Sequence, residues 1–232
     1  MLRCSHVLCK VDDIAAVVRD YRDLGFTVEW GSAPGRAHNA LLWFGSGPFI
    51  EFFELPPVFG LLRHPFGLVH GGPAGERLAR WARPGEGWRD LALETDDTDL
   101  ARARSALRTA GLPVSRVIRG RRTRPDGARV RYQYLASRPA GLPFVVSAYD
   151  PPQRPARVVH ANGARAVARV RMGVAPADRA RYAALVGEDR WLSAVPAATT
   201  GVLDVELEGL SGPLDPRKLH GALLAAAREE RG

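Results

Sequence analysis

The strongest constraint on the fold of this 232-residue chain is that it states one pattern twice. Asp13-Ile14 opens a stretch of helical periodicity that stops at Gly25, and Asp99-Leu100 opens another that stops at Gly111, twelve residues on in both cases. An aspartate can cap free N–H groups at a helix start, and glycine suits the left-handed turn that ends one. Each stretch follows an alternating, β-like run (residues 5–11 and 88–95) and precedes further β-like runs. In the first copy these are 26–30, 38–45 and 49–55. In the second they are 112–119, a hairpin over 122–135 turning at Pro125-Asp126-Gly127, and 142–149. The last run is led by Gly-Pro-Phe in the first copy and Leu-Pro-Phe in the second. A repeated β-α-β-β-β unit predicts an α+β fold in which each copy completes the core of the other.

The expected organisation is a first βαβββ module over 1–55, a connector over 56–87, a second module over 88–150 and a C-terminal part over 151–232. The connector is rich in proline and glycine, with one helix predicted over 74–82. Residues 151–155, Pro-Pro-Gln-Arg-Pro, read as a stiff linker. Beyond them a strand over 164–174, a helix over 176–186, a strand over 201–208 and a terminal helix over 216–231 suggest a partial third βαβ unit packed on the same domain.

Residues 38–55 carry the densest chemistry. Side chains alternate along a strand, so Phe49, Glu51 and Phe53 share a face. A carboxylate on an aromatic face needs a partner, because an unpaired buried charge is very costly. Trp43, Phe49, Phe53, Tyr132 and Tyr134 are candidates for an aromatic cleft wall. His38 and Asn39 sit where a loop enters a strand, and His64 and His70 lie in the connector as lid candidates.

Net charge is +8, and only two of the 33 basic residues, Lys10 and Lys218, are lysines. Arginine's planar fork suits carboxylate and phosphate. Arg129 and Arg131, sharing a strand face near Tyr132, are the pair expected to hold an anionic group. The arginines are dispersed and match no nucleic-acid motif, which argues against a nucleic-acid partner. No apolar run approaches the ~20 residues of a membrane span, and no signal-peptide core opens the chain. Cys4 and Cys9 fall in one predicted strand, pointing to opposite faces, and are expected as free thiols, with Cys4 on the face of His6. A reduced, cytoplasmic protein is the expectation.

Five stretches together resemble the glyoxalase-like branch of the vicinal oxygen chelate superfamily. They are Ser5-His6-Val7 leading to Asp13-Ile14, His38-Asn39-Ala40-Leu41-Leu42, Phe49-Ile50-Glu51-Phe52, Arg124-Pro125-Asp126-Gly127 with Leu142-Pro143-Phe144, and residues 160–172. The resemblance implies tandem modules forming a curved, incomplete barrel around a cleft, with metal ligands from the first and last strands of each module. In the first module those positions are His6 and Glu51. The repeat offset places Ala92 and Val146 at their counterparts, and neither can coordinate a metal. The implied function is a small-molecule enzyme, a lyase, isomerase or hydrolase, acting on an oxygenated organic compound with an anionic group. A divalent metal is implied only in degenerate form. Glu51 and His6 would be the catalytic pair and the metal ligands. His38, Asn39, Trp43, Phe53, Arg129, Arg131 and Tyr132 would contact substrate. The competing expectation is a metal-free drug- or metabolite-binding protein of the same fold. A homodimer is left open.

Overall fold

The computed structural model describes residues 2–227. The first module runs β1 (Arg3–Val11), α1 (Ile14–Asp23), β2 (Glu29–Trp30), β3 (Asn39–Leu42) and β4 (Phe49–Glu54). Asp13 caps α1 as expected, its side chain accepting from the Ala16 N–H at 2.9 Å. Gly25, at φ +84°, ends it by donating its N–H to the Arg22 carbonyl. The second module repeats the order with β5 (Gly87–Glu94), α4 (Ala101–Thr109), β6 (Ile118–Thr123), β7 (Arg129–Leu135) and β8 (Phe144–Val146).

The two copies share one curled eight-stranded sheet of order β2-β3-β4-β1-β5-β8-β7-β6. The first strand of each module pairs in parallel with the last, β1 with β4 and β5 with β8. The two first strands meet antiparallel in the middle. The register matches the sequence repeat. His6 lies beside Phe49, Ala92 beside Phe144, and His6 faces Ala92 across the seam. The repeat-related positions therefore converge on the centre of one concave face.

The other face of the sheet is the main core. Val7, Val11, Val17, Val18, Tyr21, Ile50 and Phe52 pack there, fully buried or nearly so. A four-stranded sheet closes it: β9 (Ala166–Val174), β10 (Leu192–Pro196), β11 (Gly201–Glu208) and β12 (Leu224–Ala226), in the order β10-β9-β11-β12. Between β9 and β10 lies α5 (Arg179–Val186), so the parallel βαβ unit is β9-α5-β10; its second strand was not expected from sequence, and the expected strand over 201–208, β11, pairs antiparallel with β9 instead. Val167, Val170, Val205 and Leu207 from this sheet join the same core.

Several local expectations are corrected. The predicted strand over 112–119 begins only at Ile118, and the strand over 26–30 shrinks to Glu29–Trp30. The connector holds a 3₁₀ turn (Pro57–Leu62), α2 (Arg63–His70) and α3 (Gly72–Trp81), not one helix. Pro57, Pro65 and Pro73 all sit in first turns, where a missing N–H costs nothing, so prolines that read as breakers are starts. The terminal helix over 216–231 is replaced, through residue 227, by a 3₁₀ turn (Pro216–Lys218) and β12; its remainder lies outside the described residues. His220 and Gly221 take positive φ (51° and 74°), which breaks helical continuation and lets β12 pair in parallel with β11.

A bulge overturns the facing of Cys4. Cys4 pairs with Leu93 and His6 with Ala92, so Ser5 is an extra residue on β1. Cys4 is thereby turned into the main core, where Cys9 also packs, and His6 points to the concave side without it. Both thiols are free and buried.

Candidate active site

A cavity of about 220 Å³ opens on the concave face, lined by side chains of both modules. From the first come His6, Asn39, Glu51 and Phe53; from the second come Arg122, Tyr132, Tyr134, Phe144 and Tyr149. Trp81 of α3 and Gln153 of the linker complete the wall.

His6 is 2% exposed, stacked on Phe49 at 4.6 Å and edged by Phe144 at 5.9 Å. Its Nδ1 lies 3.0 Å from the Ser5 hydroxyl oxygen, and that hydroxyl donates to Glu94 at 2.9 Å. A carboxylate accepts only, so the Ser5 proton goes to Glu94 and the Ser5 oxygen accepts from His6 Nδ1–H. This fixes the tautomer and leaves Nε2 as an open lone pair, 3.5 Å from Glu51 Oε2. Burial, aided by the positive charge of Arg122, pushes the imidazole pKa down to about 3. At neutral pH the contact is therefore a neutral acceptor beside a carboxyl group and not an ion pair.

Glu51 is held from the other side by Asn39, whose amide donates to Oε1 at 2.8 Å. β3 and β4 pair Leu41 with Glu51, which sets Asn39 two residues along the same face. The Asn39 amide lies where a Cβ on residue 31 would sit, so a side chain there would push the amide aside. Burial raises the Glu51 pKa, against the Asn39 hydrogen bond and the charge of Arg122, which both lower it. A proton shared between Glu51 and His6 Nε2 satisfies both groups, and a ligand oxygen entering between them can exchange it.

Arg122 supplies the positive charge of the cavity. Its guanidinium donates to the Gly31 carbonyl at 2.8 Å and to Gln153 Oε1. Both partners are neutral, so its charge is left to act on the cavity. Tyr132, under burial and the charge of Glu51, is pushed up to about 12 and stays a phenol. Burial also raises the Tyr149 pKa, so it too stays a phenol. The chemistry available is a carboxyl group poised to exchange a proton, a neutral imidazole acceptor, one cation and phenol hydroxyls, all within an aromatic wall.

Of the residues expected from sequence, His6, Glu51, Asn39, Phe53 and Tyr132 meet in this cavity. His38 does not. Its side chain is 83% exposed and lies 3.9 Å from Glu54, on the far side of β4. Trp43 is buried behind Phe49 at 4.1 Å and forms part of the support, not of the lining. Arg129 and Arg131 are exposed and line a separate groove, because alternation along β7 turns Tyr132 and Tyr134 inward and the odd-numbered arginines outward. His64 is exposed and His70 packs on Phe66 at 4.5 Å, so neither covers the cavity. Gln153, Trp81 and Tyr149 were missed, and Arg122, one of a cluster of second-module arginines over 116–131, was not the one singled out. Alternation counted on β6 would have found Arg122, which shares a face with Ile118 and Gly120, while Arg119 and Arg121 point away. Gln153 is 6% exposed because the linker is strapped down, Arg154 donating to the Phe44 carbonyl at 2.7 Å.

A divalent ion would find His6 Nε2 and the Glu51 carboxylate, but the second module offers Ala92 and Val146 at the related positions. Among the described residues no three His, Cys, Asp or Glu side chains gather as a metal site. Three protein ligands are the ordinary minimum for a resident catalytic ion, and this donor set does not fit one.

A family model for the glyoxalase-like domain matches residues 4–186. Among curated proteins, none matches the sequence significantly. Among solved structures, a hypothetical protein from Staphylococcus aureus is similar at TM-score 0.62 and 12% identity, over 90% of this chain and 92% of that one. The Mn(II)-bound glyoxalase from Novosphingobium aromaticivorans is similar at TM-score 0.54 and 13% identity, over 90% of this chain and 66% of that one. The 2,3-dioxygenase LapB from Pseudomonas sp. KL28 is similar at TM-score 0.51 and 8% identity, over 89% and 74%. At these identities the structures share the fold.

Proposed function

Because the chain belongs to the glyoxalase-like domain family, we propose that it is a small-molecule enzyme that moves a proton on an oxygenated organic compound held in the concave cavity. The observation that carries this reading is the joint presentation of Glu51 and His6 Nε2, 3.5 Å apart, to one cavity. Glu51 acts as the proton-transfer group. Its raised pKa brings it nearer to neutrality, where a general base is most effective. His6 Nε2 accepts a hydrogen bond from a substrate hydroxyl, and its Nδ1–H is spent on Ser5. Arg122 stabilises the oxyanion that forms when a proton leaves the carbon beside a carbonyl. The aromatic wall lowers the local polarity, which strengthens each of these interactions. At about 220 Å³ the cavity is below the roughly 300–1,000 Å³ of sites that bury drug-sized ligands, which favours a small metabolite.

The test is solvent exchange. In D₂O, NMR would follow loss of the α-proton from a panel of small 2-oxo acids and hydroxy-carbonyl compounds. Wild type exchanges at least one of them, and Glu51→Gln slows that exchange by about 10²–10⁴-fold, the usual contribution of a positioned acid–base group. A second reading, a protein that only binds and sequesters a small metabolite, is favoured by the apolar Ala92 and Val146. It predicts ligand-induced stabilisation without exchange in either protein.

A further inference from the structure

A second, open groove of about 1,180 Å³ runs along the β6–β7 hairpin. Five arginines line it, Arg119, Arg121, Arg122, Arg129 and Arg131, against one carboxylate, Asp150. Arg121 and Arg131 are directly opposite on neighbouring antiparallel strands. Like charges so placed repel and destabilise a sheet. Arg129 follows on the same face, and Arg119 precedes, its charge also felt by Asp99 at the start of α4. Among the described residues Arg121, Arg129 and Arg131 form no ion pair and no side-chain hydrogen bond; Arg131 meets Asp150 only through the backbone. These exposed charges, held face to face, are answered by no protein group among the described residues.

The groove adjoins the cavity at the edge of the sheet, where β6 is the last strand. Arg122 and Tyr132 line both, and the Tyr132 ring lies so close over Gly120 that a side chain there would collide with it. We infer that the groove binds the phosphate or diphosphate ester of the molecule whose reacting end occupies the cavity. Arginine's planar fork pairs two N–H groups with two phosphate oxygens, so Arg121 and Arg131 can clamp one phosphoryl group between them. Diphosphate is favoured over a single carboxylate because several arginines, not one, are left unanswered. A small ester is favoured over nucleic acid because the basic residues gather on one hairpin beside the cavity instead of spreading along an extended face. The inference rests on the cavity as the reaction site, and it fails separately from it.

The probe is inorganic pyrophosphate at low salt, followed by the melting temperature and by the side-chain N–H resonances of arginine. Wild type is stabilised, and the resonances of Arg121 and Arg131 shift. The double variant Arg121→Ser/Arg131→Ser folds, since both side chains are exposed and repel one another, and its affinity falls at least tenfold. Glu51→Gln, which alters only the cavity, responds to pyrophosphate as wild type does. A control variant on α4, Arg102→Ser/Arg108→Ser, keeps the wild-type affinity. Absence of stabilisation, or equal loss in the control, overturns the phosphate site while leaving the proton-exchange result untouched. Oligonucleotide binding that tightens with length and displaces pyrophosphate overturns it in favour of a nucleic-acid surface. Where exchange in D₂O is absent yet pyrophosphate binds at these arginines, the groove stands and the cavity reading falls.

Discussion

Asp90→Ala is expected to be the most damaging single change outside the cavity. Arg77 of α3 and Asp90 of β5 form an ion pair in which both side chains are 1% exposed. Arg77 also donates to the Leu142 carbonyl at 2.8 Å and to the Ser137 hydroxyl at 3.1 Å. Asp90 accepts from Trp81 Nε1 at 2.6 Å, and Trp81 is cavity wall. Removing the carboxylate leaves a guanidinium in the interior with only neutral partners and strands the indole N–H. Breaking a buried pair in this way costs about 3–5 kcal/mol. At roughly 2–4 °C per kcal/mol for a chain of this size, the melting temperature falls by about 6–20 °C. The assay is urea or thermal unfolding of wild type, Asp90→Ala, Arg77→Met and the double variant Arg77→Met/Asp90→Leu. Because the charges depend on each other, the double variant should be more stable than Asp90→Ala alone. A loss below about 1 kcal/mol in Asp90→Ala, or strictly additive costs in the double variant, refutes the reasoning.

Three further outcomes are expected. His6 is neutral in the folded state down to about pH 3 but binds a proton near 6.5 when unfolded, so it lends stability that is complete above pH 6.5 and is lost as pH falls toward 3. Glu51, with its pKa raised in the folded state, acts in the opposite sense just above its ordinary value. Unfolding near pH 5 should therefore take up about one proton more in wild type than in His6→Leu, measured from the pH dependence of unfolding free energy. Gly31→Ala should weaken the cavity without unfolding the chain, because the added methyl displaces the Asn39 amide that holds Glu51. Its α-proton exchange should drop about tenfold or more while its melting temperature moves little, and wild-type exchange in this variant would contradict the role given to Asn39. Gly75→Ala should destabilise by about 1–3 kcal/mol, the usual cost of overpacking, since its methyl would strike the Arg63 carbonyl where α2 and α3 meet. An unchanged melting temperature would count against that close approach.

The repeat made the architecture legible. Two helical stretches of equal spacing matched His6 to Ala92, and the shared Pro-Phe leader matched Phe49 to Phe144; the structure then sets His6 across from Ala92. Glu51, Asn39 and Tyr132 were legible because alternation holds along β4, β3 and β7. The losses have local causes. One inserted residue, Ser5, reverses Cys4 relative to His6, and no periodic pattern announces it. Among many arginines, composition could not single out Arg122, since what selects it is the pairing of an edge strand. The helices of the connector were hidden by prolines that sit in their first turns. At the C-terminus Leu219, Leu223 and Leu224 imitate a helical stripe, but His220-Gly221 and the open edge of β11 decide for a strand.

The account's central claim is that His6 and Glu51 meet in a cavity as a neutral acceptor and a poised carboxyl group. The most direct measurement is the ¹⁵N spectrum of the His6 ring between pH 5 and 8. The account predicts a neutral ring protonated at Nδ1, with an unprotonated Nε2, throughout that range. An imidazolium titrating near pH 6.5, or a ring protonated at Nε2, would contradict it.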